Sequence, residues 1–381
     1  MRHIAITMGC PVGIGPEILL KFFNQTDRSS KYAPVILGDI GVLQRCATEL
    51  KINAQFLAWH PGTPIRTEQI PVLELSHLNT HDLIWGHPTI ATGKAMVSYI
   101  EKAVSLILNG TFSAMVTCPI SKASLNRAGY SFPGHTEMLA ALTQSPNYVM
   151  MMAGSSLRVT LATIHCSLAS VPSRLNIETL TALIQTTNTA LRCDFGISSP
   201  RIAVAALNPH AGESGLFGNE EDEIILPAIQ IMQAFGIQVQ GPFPPDTIFF
   251  KAASGMYDAV ICMYHDQGLI PFKLLHFKDG VNVTLGLPIV RTSVDHGTAY
   301  DIAGKGLADP ASLSAAVDLA ASIAVNRETV QKDNQESNHI NSGSHSNSRG
   351  RDAKVTAQGS VCSLYKGGQS FYVKTGWNRS Q

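Results

Sequence analysis

Three histidines carry the strongest chemical signal in this chain. His165 ends the run Val-Thr-Leu-Ala-Thr-Ile-His, His210 follows Ile-Ala-Val-Ala-Ala-Leu-Asn-Pro, and His265 follows Ala-Val-Ile-Cys-Met-Tyr. Each sits just past an apolar run that reads as a buried strand. Strand carboxyl ends share one edge in a parallel α/β sheet, and ligands bind there. Three neutral imidazoles on one edge suit a divalent metal with positions left for a substrate oxygen. Such an ion polarises an alcohol or a carbonyl. A single histidine after a strand is more often a loop hydrogen-bonder, and these three lie too far apart for a short metal motif. Pattern alone therefore leaves a shared site and three separate roles both open. His3, His60, His77, His81, His87, His276, His339 and His345 lack such a setting and read as structural or solvated.

Other residues suit an anion. Pro133-Gly134-His135-Thr136-Glu137 opens a helical window, and a Gly-His-Thr there offers backbone N–H groups, a hydroxyl and an imidazole to a phosphate or carboxylate. An ordinary threonine N-cap explains the same residues locally. Lys273 follows His265 closely, while Asn282 lies in the run Val281–Leu285 and Arg291 beyond it, and Arg291 can grip an anion bidentately. Together they describe a cationic pocket beside the metal candidates. The glycine-rich start, Gly9 to Glu17, invites a nucleotide reading but fails it. Its spacing is not GxGxxG, and no Lys-Ser/Thr pair follows, so it reads as a tight strand-to-helix turn.

The elements that must position these residues alternate. Strand-like runs are His3–Thr7, Pro34–Leu37, Phe112–Thr117, Tyr148–Met152, Leu157–Ile164, Arg201–Leu207, Ala259–Met263 and Val281–Leu285. Amphipathic windows are Gly15–Phe23, Ala91–Leu108, Ile177–Leu191, Glu220–Phe235 and Ala311–Val325. This alternation predicts an α/β protein with a largely parallel sheet. The chain has 381 residues, 45% hydrophobic and 15% charged, enough to build a large core. With 28 Lys+Arg against 28 Asp+Glu, it lacks the basic surplus that argues for nucleic acid or an anionic membrane. No apolar run is long enough to span a bilayer, and the chain enters a strand at once without room for a signal peptide, so cytoplasm is the expected location. Seven scattered cysteines without a CxxC pair read as reduced thiols. Composition shifts near residue 330, dividing a catalytic body (1–330) from a tail (331–381) rich in Asn, Ser, Gly and His and expected to be disordered. The tail holds seven basic residues against three acidic ones, so the neutral total conceals an acidic body.

Five motifs resemble the 4-hydroxythreonine-4-phosphate dehydrogenase family of vitamin B6 biosynthesis: Gly13–Glu17, Pro133–Glu137, Asn208–Glu213, Tyr264–Gly268 and Gly286–Ser293. The likeness spans about residues 3 to 327 and leaves the tail outside. It implies a homodimer whose metal, one divalent ion such as Zn, Mg or Co per site, is held by His165, His210 and His265 across the subunit interface. It implies substrate contacts from His135, Thr136, Lys273, Asn282 and Arg291, with Lys273 or Asp246 moving protons. His296-Gly297-Thr298-Ala299-Tyr300-Asp301 resembles the adenosine-contacting segment of the isocitrate/isopropylmalate dehydrogenases. That likeness implies their fold, two subdomains with the active site in the cleft between them, and NAD or NADP contacts from His296, Gly297 and Asp301. The implied reaction is oxidation of 4-phosphooxy-L-threonine at C3 and decarboxylation, the product passing to pyridoxine 5'-phosphate synthase. Dehydrogenation of D-threonate or D-erythronate 4-phosphate, or cleavage by a three-histidine metal aldolase, are the alternatives. One departure stands out: Cys10 occupies a place that is usually acidic.

Overall fold

Described residues of the computed structural model are 2–25, 32–66 and 68–342. The strands are β1 (Arg2–Thr7), β2 (Tyr32–Gly38), β3 (Phe56–Ala58), β4 (Ile70–Glu74), β5 (Ala114–Thr117), β6 (Val149–Ala153), β7 (Arg158–Leu161), β8 (Ile202–Ala205), β9 (Val239–Phe243), β10 (Ala259–Cys262), β11 (Val281–Leu285) and β12 (Arg291–Val294). The helices are α1 (Gly15–Phe23), α2 (Ile40–Glu49), α3 (Ile90–Leu108), α4 (Lys122–Arg127), α5 (His135–Leu142), α6 (Val171–Arg174), α7 (Ile177–Cys193), α8 (Leu226–Ala234), α9 (Pro245–Ala253), α10 (His265–Leu275) and α11 (Ala311–Ser342).

One twelve-stranded sheet runs β3-β4-β2-β1-β5-β12-β11-β6-β7-β10-β8-β9. Its first six strands are mutually parallel, as are its last four. Between them β11 is antiparallel to both neighbours, and β6 is antiparallel to β7. Following those reversals across the sheet, the two parallel blocks run in opposite senses. The α/β expectation holds, and the division within it is one of strand direction across a continuous sheet. A smaller core under β7, β8 and β10, including Leu161, Ile248 and Phe272, is separate from the main one. Strands such as β2 are buried throughout because helices cover both faces, which is why they read as unbroken apolar runs. Side-chain caps from Asp39, Thr89, Ser121 and Asn176 fix four helix starts, each contributing about 1 kcal/mol.

Three differences from the sequence reading have local causes. β3, β4, β9, β12 and α2 are not among the predicted elements, and α9, which opens on Pro245, and α10, which contains Pro271, lack an uninterrupted helical pattern. α11 continues beyond residue 330 to Ser342, into a stretch whose composition argued against regular structure. Residues 343–381 lie outside the described residues. Cys10, Cys46, Cys118, Cys166 and Cys262 are free thiols, whereas Cys193 is disulfide-bonded, contrary to the all-thiol expectation.

Candidate active site

Arg291 begins β12 and is 3% exposed. Its guanidinium donates to Thr117 Oγ1 from Nε (3.2 Å) and Nη2 (2.9 Å), and to Thr284 Oγ1 (2.9 Å) and Asn282 Oδ1 (3.3 Å) from Nη1. Every one of these acceptors is neutral. Burial depresses the guanidinium to about 10, opposed by the more distant Glu137 carboxylate, so it is still charged at neutral pH. A buried charge without a counter-ion is costly unless a ligand supplies one. His135, at the start of α5, feels the Arg291 charge and has a buried Nε2 with no hydrogen-bond partner. Burial first, and Arg291 second, hold this imidazole neutral. Thr136 follows it in the same first turn. The structure therefore brings His135, Asn282 and Arg291 together around a positive charge that lacks an anion.

Lys273 lies in the last turn of α10, with Nζ 3.2 Å from Asp295 Oδ2 and 3.4 Å from Asp295 O. Asp295, just past β12, is held by Ser312, whose hydroxyl accepts from its N–H (3.1 Å) and donates to Gly280 O (2.9 Å). Burial raises the Asp295 carboxyl, against the pull of Lys273. The next residue, His296, has a buried and unpartnered Nε2, and burial lowers its imidazole. A Cβ built on Gly297 would meet no atom within 4 Å, so open space adjoins it. Asp301 is exposed. The segment beyond it is tied to α1: Glu17, fully buried, accepts from Ala308 N (2.7 Å) and Gly306 N (3.2 Å), while Lys21 Nζ donates to the carbonyls of both residues. Ile14 N donates to Thr298 O, so the glycine-rich start packs against the nucleotide-segment candidate as a tight turn.

The histidines divide. His165 and His265 face one another with ring centroids 5.8 Å apart and planes inclined by 39°. Metal–nitrogen bonds of about 2.1 Å put two imidazole centroids on one ion roughly 5 Å apart, close to this spacing. Burial and the charges of Lys122 and His265 lower the His165 imidazole. The His265 Nδ1–H donates to Asp266 Oδ1 (2.7 Å), which leaves Nε2 as the donor atom for a metal. His210 shows the same pattern with Glu213 Oε2 (2.9 Å), and that carboxylate raises its imidazole. Its side chain is 66% exposed and edges against Phe217, and the Asp246 carboxylate adds to the rise. Asp246 therefore lies close enough to His210 for its charge to be felt there. Among the described residues of one chain, no three His, Cys, Asp or Glu side chains are disposed to hold a metal. Adjacent strands carry the three histidines, and His165 and His265 meet while His210 does not complete a group of three with them. The carboxylate-anchored imidazoles nevertheless fit a divalent ion, and the open space beside Gly297 and the unpartnered His296 Nε2 fit a nucleotide.

Four contributors escaped the sequence reading: Thr117, Thr284, Lys122 and Asp295. Threonines inside β5 and β11 look like ordinary strand residues, and Lys122 carries no motif. Asp295 precedes His296 directly, and that adjacency was the signal available.

An α/β body with a buried arginine whose partners are all neutral defines a class of protein with a cationic pocket suited to a small anionic ligand. Comparison narrows the class. The family model described as pyridoxal phosphate biosynthetic protein PdxA matches residues 30–320, and the chain belongs to that family. It is 53% identical over 322 residues, 84% of this chain and 94% of the relative, to the 4-hydroxythreonine-4-phosphate dehydrogenase of Desulforapulum autotrophicum. A provisionally named D-threonate 4-phosphate dehydrogenase of Oceanobacillus iheyensis is 40% identical over 324 residues, 84% of this chain and 97% of that one. The crystal structure of 4-hydroxythreonine-4-phosphate dehydrogenase from Klebsiella pneumoniae superposes with a TM-score of 0.78 at 40% identity, covering 85% of this chain and all of that one. No described helix is long and apolar enough to cross a membrane.

Proposed function

We propose that this chain oxidises 4-phosphooxy-L-threonine at C3, using NAD or NADP and a divalent metal, to 2-amino-3-oxo-4-phosphooxybutanoate. Loss of CO2 from that β-keto acid gives 3-amino-2-oxopropyl phosphate. The observation that carries the reading is the buried Arg291, whose partners are all neutral, beside the unpartnered Nε2 of His135. An anionic substrate group supplies the missing charge, with Asn282 and Thr136 completing its hydrogen bonds. When bound, the metal supplies Lewis-acid polarisation of the C3 oxygen and the nicotinamide supplies the hydride acceptor. His296, Gly297 and Asp301 would hold the nucleotide.

His165 and His265 would hold the ion from one subunit, and His210 would reach it from a second. Outward exposure of His210 supports that division, and so does an unpartnered apolar face. Ile270 (69%), Leu274 (85%) and Phe277 (76%), on and just after α10, are all exposed, a cost that a second copy of the chain removes. Asp246 would arrive with His210 and accept the proton of the C3 hydroxyl. Lys273, 3.2 Å from Asp295 Oδ2, would deliver a proton to C2 once CO2 has left. The free thiols Cys10, Cys46, Cys118, Cys166 and Cys262 support a reducing cytoplasm, against which the disulfide-bonded Cys193 stands.

The test is complementation between two inactive variants. His210→Ala and His265→Ala should each abolish metal-dependent absorbance at 340 nm. A mixed dimer regains one intact site, so re-equilibrated equal mixtures should recover about a quarter of native activity. No recovery overturns the shared site. Running 4-phosphooxy-L-threonine against D-threonate and D-erythronate 4-phosphates separates the nearest alternative, which the Oceanobacillus relative favours. Cleavage without nicotinamide would establish an aldolase instead.

A further inference from the structure

The loop carrying His210 has a backbone unlike the rest of the described molecule. Six consecutive residues have positive φ: His210 (53°), Ala211 (56°), Gly212 (79°), Glu213 (44°), Ser214 (57°) and Gly215 (88°). Nowhere else among the described residues do two adjacent non-glycine residues share this conformation. Left-handed backbone brings Cβ against the following carbonyl oxygen, so His210, Ala211, Glu213 and Ser214 hold it only if something outside the turn compels them.

Glu221 supplies that compulsion. It is 3% exposed, yet its carboxylate is fully engaged. Oε1 accepts from Leu207 N and Asn208 N, both at 2.8 Å, and Oε2 accepts from Asn208 Nδ2 at 3.0 Å. These donors precede the left-handed run by a single residue, Pro209. A Cβ added to Gly212 would meet Glu221 Oε2 at 2.8 Å, so the carboxylate lies directly against the turn. Glu221 also begins a π-helical turn, Glu221–Ile225, an irregularity that recurs at functional sites. None of these bonds touches the His210 imidazole, which Glu213 orients.

We infer that Glu221 is a positioning residue: its carboxylate clamps the backbone at 207–208 and holds the strained left-handed turn that aims His210 out of its own subunit toward the shared metal. The metal half of this inference rests on the proposed function; the clamp itself does not. Outer groups that orient a ligand commonly change metal affinity by about 10–100-fold when removed.

Two measurements on the full chain test it: hydrogen exchange of the peptide spanning residues 206–216, and binding of Zn2+ alone after chelation. Glu221→Ala should speed exchange of the Leu207 and Asn208 amides at least about tenfold and weaken Zn2+ binding by about 10–100-fold. Glu221→Gln, which keeps an acceptor for the two amides, should fall between. Adding Ala211→Gly to Glu221→Ala should recover part of the Zn2+ affinity, because glycine accepts positive φ without penalty. Native Zn2+ affinity in Glu221→Ala, or a loss that Ala211→Gly does not relieve, overturns the positioning role. Should Glu221→Ala not fold, Ala211→Gly alone decides: slower exchange across 206–216 supports the strained turn, and faster exchange refutes it. Faster exchange in Glu221→Ala in a native protein that binds no Zn2+ upholds the clamp and refutes the metal reading.

Discussion

The Arg291 pocket and the His210 loop handle charge and strain in opposite ways. Around Arg291 the protein buries a cation among hydroxyls and an amide, on rigid strands, and leaves its electrostatic deficit for a ligand to fill. Around His210 it spends a buried carboxylate on bending the backbone and leaves the imidazole exposed. One half of the candidate site is complete within a chain except for its ligand. The other leaves its imidazole largely exposed. A pocket made of adjacent strands needs only the sheet, whereas an exposed imidazole on a left-handed turn needs other residues to hold its backbone.

The sharpest way to break this contrast is Arg291→Met. Substrate kcat/KM should fall about 10²–10³-fold, because a buried, hydrogen-bonded charge on the ligand loses its partner. Stability in urea should stay level or rise, since a desolvated cation without a counter-ion is removed. A large loss of stability with near-native kinetics would make Arg291 a core strut and erase the distinction. Next in size is Leu274→Asp on the exposed face of α10. A carboxylate placed in a dimer interface should shift the protein toward monomer in sedimentation and lower activity on the order of tenfold at dilute concentration. A variant that remains dimeric at native activity would locate the partner surface elsewhere.

Glu17→Gln probes the cofactor side of the rigid half. Its carboxylate holds Gly306 and Ala308 and pairs with Lys21 at 2.9 Å. Weakening those charge-assisted bonds should cost about 1–3 kcal/mol in denaturant unfolding, with faster exchange confined to residues 304–308. Uniform loosening of the chain would contradict a local tie. The smallest effect belongs to a control remote from both regions. Asp258 accepts from Arg201 N at 2.7 Å and from its guanidinium, which hold its pKa below the usual carboxylate value despite opposing burial. A folded-state pKa that is depressed stabilises above the unfolded value and loses that contribution as pH falls through the folded one. Asp258→Asn should therefore cost about 1 kcal/mol at neutral pH and almost nothing in strong acid. A cost independent of pH would mean that the amide simply fails to fit.

Much of the fold was legible because its elements obey simple periods. α1 coincides with the expected window, and β1, β10 and β11 fall within a residue of the predicted runs. Reading failed where chemistry and periodicity compete. α10 begins on a ligand candidate and contains Pro271, so it looked like a loop after a strand. Site residues showed the same split. His135, Asn282 and Arg291 were visible as polar residues at element ends, and the structure gathers them. Thr117 and Thr284 were not, because a threonine facing a buried guanidinium and one facing solvent look alike in sequence.

Sequence alone supplied the residue chemistry: imidazoles able to ligate a metal, a guanidinium able to pair with an anion, an apolar body to hold them, and no surplus of basic charge. These follow from composition and local pattern, which need no knowledge of what packs against what. Tertiary structure decided the partnerships. It set His165 against His265 and gave Arg291 neutral neighbours. It brought Asp246 close enough for His210 to feel its charge and turned His210 outward on a left-handed run. Those outcomes depend on strand order, on the reversal at β11 and β6, and on a carboxylate that meets its backbone donors 13 and 14 residues away only after folding. Contact is a property of the folded chain, and one-dimensional spacing cannot encode it.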